Sequence, residues 1–167
     1  MGTTIRNAIK ADIPQICAFI NELAEYENMP LGTVCMTEAD LEQDGFGENP
    51  YFYCLIAEHD GRPVGFSIYY FTYSTFAGEP GLYIEDLFVV PELRRTGIGK
   101  ELLAYVAASA VKLGSRCLQW EVLDWNLSSM EFYRAQGAEF VDEWRNMRLS
   151  DSAVERLAMT CKTGSTR

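Results

Sequence analysis

Between Tyr51 and Val90 the chain carries three runs rich in β-branched and aromatic residues, and the first two are separated by a turn built on Asp60-Gly61. An Asp-Gly pair between such runs marks a tight hairpin, so Tyr51 to Glu58 and Val64 to Thr72 are expected to pair antiparallel. After a loop containing glycine and proline, 77–81, Leu82 to Val90 reads as a third long strand that Pro91 halts. Upstream, Thr3 to Ala8 reads as a short strand. Asp12 then stands as an N-cap, with Pro14 in the first turn and Gln15 three residues on. Ile13, Ile16, Phe19, Ile20 and Leu23 recur three and four apart, which predicts an amphipathic helix ending near Tyr26. Thr37 with Asp40 opens a second, short helix stopped by Gly45 and Gly47.

Downstream, 97–113 puts Ile98, Leu102, Val106 and Ala110 on one helical face, with Gly114 as the stop. Cys117 to Leu123 is expected as a strand, Asn126 as the cap of a helix running to Gln136, and Phe140 to Leu149 as a final strand. A run of strands flanked by helices implies an α+β fold, a three-layer arrangement in which a mixed, mostly antiparallel central sheet carries helices on both faces. A single domain over 1–150 is expected, with 151–167 as a weakly structured tail.

At 167 residues, with 48% hydrophobic and 23% charged, the chain has material for one sizeable core. Its net charge of −10 argues against a nucleic-acid partner, which needs clustered lysine and arginine, and suits a cationic small molecule. The five cysteines show no paired spacing, so reduced, mostly buried thiols in a cytoplasmic protein are expected. The only histidine, His59, falls in a turn signature and reads as a solvated loop residue. No cysteine or histidine cluster implies a metal, and no apolar run approaches the ~18 residues of a membrane span, so no membrane partner is expected. The start, Met1-Gly2-Thr3-Thr4-Ile5-Arg6, lacks the apolar stretch of a signal sequence, and Arg6 stands where N-myristoylation wants serine or threonine.

The junction after the third strand concentrates the chemistry. Pro91 is followed by a basic loop, Arg94-Arg95-Thr96-Gly97-Ile98-Gly99-Lys100, and then by a helix. Such a loop offers backbone N–H groups and a positive helix end to an anion, and glycines permit close approach. Three cations in an acidic protein suit a pyrophosphate. The dinucleotide fingerprint fails, because Leu102 stands where its third glycine belongs, and the Gly-Lys-Ser/Thr of the nucleoside-triphosphate loop is absent.

Arg94-x-x-Gly97-x-Gly99 after a strand resembles the acetyl-CoA signature of the GNAT N-acetyltransferase superfamily. Collinear with it, Glu22-Leu23-Ala24-Glu25-Tyr26-Glu27, Asp44 to Gly47, Tyr69 to Tyr73, Tyr83 to Asp86, Trp125-Asn126 and Phe132-Tyr133 resemble the spermidine/spermine (diamine) N1-acetyltransferase and thialysine N-acetyltransferase branch. The resemblance runs from about Ile5 to Leu149 and implies the acyl-CoA N-acyltransferase fold. It implies transfer of acetyl from acetyl-CoA directly to a primary amine of a small cationic acceptor, a diamine, polyamine or thialysine-like amino acid, with no metal. Backbone at Leu87, Phe88 and Val89 would hold the pantetheine arm, where two neighbouring strands part. Arg94, Arg95, Thr96, Gly97, Ile98, Gly99 and Lys100 would bind the diphosphate, and Asn126 and Ser129 would face the cofactor. Tyr133 matches the family's general acid and Glu85 its base, acting through water, while Asp86 would point to the opposite face of a regular strand. Tyr26, Glu27, Glu85, Asp142, Glu143 and Trp144 match the acceptor-contacting segments. A homodimer is implied by the same likeness. One departure bears on the acceptor: Ser74 stands where the polyamine enzymes have an aspartate, and Phe76 replaces a tryptophan, which weakens selection for a long polycation. Two other readings are a protein-lysine or N-terminal acetyltransferase of the same fold, and a non-catalytic acyl-CoA-binding sensor. The presence of both Tyr133 and Glu85 argues against the sensor.

Overall fold

A computed structural model describes residues 2–161. The last part of the expected tail, 162–167, lies outside the described residues. The chain divides into two compact units, one running to Trp125 and the other from Asn126 onward, within the stretch expected as one domain.

The first unit is built on a five-stranded sheet in sequence order: β1 (Thr3–Asn7), β2 (Tyr53–His59), β3 (Arg62–Ser74), β4 (Glu79–Val89) and β5 (Leu118–Gln119). β1 to β4 are mutually antiparallel, and β5 joins β4 in parallel. Asp60 and Gly61 both adopt positive φ, 51° and 75°, the two-residue geometry that matches the strand twist of a hairpin. His59 is the last residue of β2 rather than a loop residue, with Nδ1 3.1 Å from the Thr3 hydroxyl across the ladder.

Helix α1 (Ile13–Tyr26) covers one sheet face. Its Ile13, Ile16 and Phe19 pack with Cys54, Ile56, Phe66, Ile68 and Phe88, and Phe19 lies 5.8 Å from both the Phe66 and Phe88 rings. Burial of these aromatics supplies much of the unit's stability, since truncating one to alanine typically costs about 3–5 kcal/mol. Asp12 precedes the helix as expected, but its carboxylate looks backward. It accepts from the Ile9 N–H at 2.8 Å and from both terminal nitrogens of Arg6, whose Nε and Nη2 also reach Glu58. The Asp12–Gln15 capping box is therefore not formed, because the arginine pair claims the carboxylate. At α2 (Glu38–Phe46) the expected box is present: Asp40 N–H donates to the Thr37 hydroxyl and Thr37 N–H to the Asp40 carboxylate. Gly45 lies inside that helix, and Gly47 ends it.

Helix α3 (Ile98–Lys112) covers the opposite face with Ile98, Leu102 and Val106 fully or nearly fully buried, and the Tyr69 phenol on that face shares a hydrogen bond with Ser109. These are the expected layers. β5 is only two residues, where a strand over 117–123 was expected. Of the cysteines, Cys54 is buried and Cys17 half-buried, but Cys35, Cys117 and Cys161 are exposed, against the expectation of mostly buried thiols.

The second unit contains α4 (Leu127–Arg134), capped by Asn126, and α5 (Ser152–Ala158). The strand expected over Phe140 to Leu149 does not form; residues 138–150 are irregular and largely exposed. A strand needs a partner edge for its backbone groups, and among the described residues no edge pairs with this segment.

Candidate functional site

Two irregularities in β4 shape the site. The first is on its outer edge. β4 and β5 pair only at Leu82↔Leu118 and Tyr83↔Gln119, after which the strands part. On its other side β4 stays bonded to β3, and the Val90 N–H donates to the Val64 carbonyl at 2.9 Å. Antiparallel pairs alternate between bonded and non-bonded, so Phe88, opposite Phe66, bonds to β3 as Val90 does. Leu87 and Val89 accordingly turn their N–H and C=O groups toward the open edge. The expected backbone segment is thereby divided: Leu87 and Val89 offer main-chain groups, whereas Phe88 contributes its ring to the core.

The second irregularity is a bulge. Asp86 is opposite Ile68 and Ile84 is opposite Tyr69, leaving Glu85 as one residue too many. A bulge lets two successive side chains share a face. Tyr70, on the α1 side of β3, donates its phenol to Glu85, while Asp86 follows Ile68 and Phe88 on that same side. Asp86 was expected on the opposite face, and the extra residue is why it is not. The two carboxyl groups are joined by Glu27, next after the end of α1 and near enough to act on Asp86.

The electrostatics follow from crowding. Asp86 keeps part of its surface in water but is deep enough that desolvation leads, and with Glu85 and Glu27 beside it its proton affinity is pushed up to about 7. Burial also raises Glu27. The Tyr70 and Tyr83 phenols are raised, first by burial and then by Glu85 and Glu121. A site in which the Asp86 carboxyl holds its proton up toward neutral pH gains by taking up a cation, and such shifts gather where chemistry is done.

The basic loop follows. Pro91–Leu93 forms a 3-10 turn, and Arg95, with φ 64°, and Gly97, with φ 100°, are both left-handed before α3 begins. Arg95, Thr96 and Lys100 are exposed, and the first-turn N–H groups of Ile98, Gly99 and Lys100 have no acceptor within the helix. The arrangement suits an anion beside the open edge. Arg94 is placed differently: its Nε donates to the Val89 carbonyl at 3.0 Å and its guanidinium carbon lies 4.2 Å from the Tyr26 ring centre. Tyr26 in turn meets Trp125 at 6.0 Å.

In the second unit, Asn126 is buried and accepts from the Ser129 N–H at 3.2 Å, fixing the start of α4. Tyr133 is half-buried in that helix with its ring 5.0 Å from Phe132. Asp142, Glu143 and Trp144 lie on the exposed irregular segment. Tyr70, Asp86 and Trp125 were not singled out from the sequence as site residues. Two adjacent acids inside an otherwise apolar strand were the available signal for the bulge. No group of three or more histidine, cysteine or acidic residues is placed to hold a metal among the described residues.

Residues 13–138 match the family described as Acetyltransferase (GNAT) family. The chain is 41% identical over 165 residues to the thialysine N-epsilon-acetyltransferase of Bos taurus, covering 92% of this chain and 96% of that one. It is 42% identical over 141 residues to spermidine/spermine N(1)-acetyltransferase-like protein 1 of Homo sapiens, covering 80% of this chain and 20% of that protein. Among solved structures, aminoglycoside N-acetyltransferase AAC(6')-Iy in complex with CoA superposes with a TM-score of 0.70 at 20% identity. That match covers 90% of this chain and 95% of the other, a likeness of fold.

Proposed function

The chain belongs to the GNAT acetyltransferase family, and on that premise we propose that it transfers acetyl from acetyl-CoA directly to a primary amine of a small cationic acceptor, a diamine, polyamine or thialysine-like amino acid. One observation carries the acceptor class: the β4 bulge puts Glu85 and Asp86 on one face with Glu27 alongside, a few residues from the open edge at Leu87 and Val89. The relatives named for thialysine and for spermidine/spermine support the same class.

The residues present fit acetyl-CoA. The Leu87 N–H and C=O and the Val89 N–H are free of the β3 ladder and can pair with the amides of a pantetheine arm. The loop 95–100 offers exposed cations and a helix start to a diphosphate, and Asn126 and Ser129 complete the cofactor set. When bound, acetyl-CoA supplies a thioester already activated for acyl transfer.

The protein's part is to bind a cation and then remove its proton. An alkylammonium with pKa about 10 cannot attack until it is neutral. Glu27 and Glu85 draw in the ammonium, and Tyr70 holds the Glu85 carboxylate in place. Asp86, with its raised proton affinity, is the better matched of the neighbouring carboxyl groups to receive a proton, directly or through water. Tyr133 supplies a proton to the departing thiolate, and the tyrosinate left behind takes a new proton from solvent before the next turnover. Tyr26 lines the acceptor side, and Asp142, Glu143 and Trp144 contribute acid and ring where a cation extends further. The enzyme works as a homodimer in the cytoplasm; exposed apolar side chains of the first unit, such as Tyr73 and Phe76, support a partner surface.

The test is release of CoA from acetyl-CoA by purified protein against spermidine, spermine, putrescine, thialysine, lysine and a lysine peptide. A small diamine or thialysine should be turned over with the highest kcat/KM. Preference for the peptide would move the reading to a protein acetyltransferase, and acetyl-CoA binding without turnover on any amine would make the chain a sensor.

A further inference from the structure

Arg94 opens the glycine-containing loop, yet its side chain is spent on the protein itself. Its Nε takes the Val89 carbonyl, one of the main-chain groups that β4 turns toward its open edge. Its guanidinium carbon lies over the Tyr26 ring, 4.2 Å from the centre, and 5.6 Å from the centre of the Phe88 ring. Tyr26 is the last residue of α1, Glu27 follows it, and the Tyr26 ring also meets Trp125. One half-buried side chain thus ties the strand edge to the end of the helix that carries Glu27. Exposed Arg95 and Lys100 remain as the cations that a phosphate can reach.

We infer that Arg94 is a positioning residue for the acceptor rather than a ligand of the diphosphate: held over the Tyr26 ring and bonded to the Val89 carbonyl, it sets the distance between Glu27 and the Glu85–Asp86 face. The inference rests on the acceptor reading given above. Planarity and the forked donors both matter to such a contact, so lysine does not replace arginine here.

The experiment compares Arg94→Ala, Arg94→Lys, Tyr26→Ala and the Arg94→Ala/Tyr26→Ala double variant. It measures acceptor KM, kcat, acetyl-CoA affinity by calorimetry, and Tm. Arg94→Ala should raise acceptor KM on the order of 10-fold with kcat within about threefold and acetyl-CoA affinity within about twofold. Arg94→Lys should not restore KM, and the double variant should be no worse than Tyr26→Ala, because the two residues act as one unit. A merely structural role would lower Tm and kcat without this selective change in KM, and would overturn the inference. So would an acetyl-CoA affinity weakened tenfold with acceptor KM unchanged, or effects of the two single variants that multiply. If the wild type acetylates no amine, the acceptor reading has failed on its own, and calorimetry with acetyl-CoA still decides Arg94: unchanged affinity supports the assignment, a tenfold loss refutes it.

Discussion

Replacing Asp86 by asparagine should stabilise the protein above neutral pH while impairing it as a catalyst. The unfolded chain releases this proton near 3.8, the folded protein only near 7. Between those values folding takes up a proton, so stability is lost as pH rises and the loss is complete above about pH 7. The full gap corresponds to about 4 kcal/mol, of which about 2.6 kcal/mol falls between pH 5 and pH 8. Water reaches part of the carboxyl group and Glu27 shares its titration, so we expect about 1–2.5 kcal/mol to be realised. Asparagine carries no charge at either pH and escapes this cost. Urea unfolding at pH 5 and pH 8 should therefore show the variant gaining on the wild type by that amount, equivalent to roughly 2–10 °C in Tm for a chain of this size. Acceptor amine at saturating concentration should narrow the difference by giving Asp86 a cation. A variant equally stable relative to wild type at both pH values, or relatively weaker at pH 8, would show that Asp86 is not a carboxyl group held against its charge.

Two further outcomes follow from the same assignments. Tyr133→Phe should lower kcat by about 10²-fold or more with acetyl-CoA affinity little changed, and steady-state kinetics with a calorimetric titration would read both; unchanged turnover removes Tyr133 from the proton path. Arg95→Ala should weaken acetyl-CoA binding by about tenfold at low salt and by less at high salt, because the contact is an exposed charge pair; salt-independent affinity equal to wild type would displace the diphosphate from this loop.

The hairpin, the third strand and the helices around them were legible because each carries its own local code: the Asp60-Gly61 turn, the three-and-four spacing from Ile13 to Leu23, the Thr37–Asp40 box. What escaped depended on partners. Whether Phe140 to Leu149 becomes a strand is decided by a neighbouring edge, which spacing along the segment does not contain. The short β5 has the same origin, since the parting from β4 is a property of two segments. At the site, the acids and the basic loop were visible as residue types, but their facing was not. A single inserted position at Glu85 brought Asp86 to the opposite side from the one that regular alternation assigns, and Arg94 looked like its exposed neighbours until its side chain was placed over Tyr26.

The parting of β4 from β5 also has a consequence for how the molecule keeps to itself. A strand edge able to receive the amides of a small arm is equally able to receive another polypeptide, since donors and acceptors at that spacing do not distinguish the two. On the proposed function, a bound pantetheine arm would then double as a guard, and the protein without acetyl-CoA would be more prone to edge-to-edge assembly than the protein saturated with it.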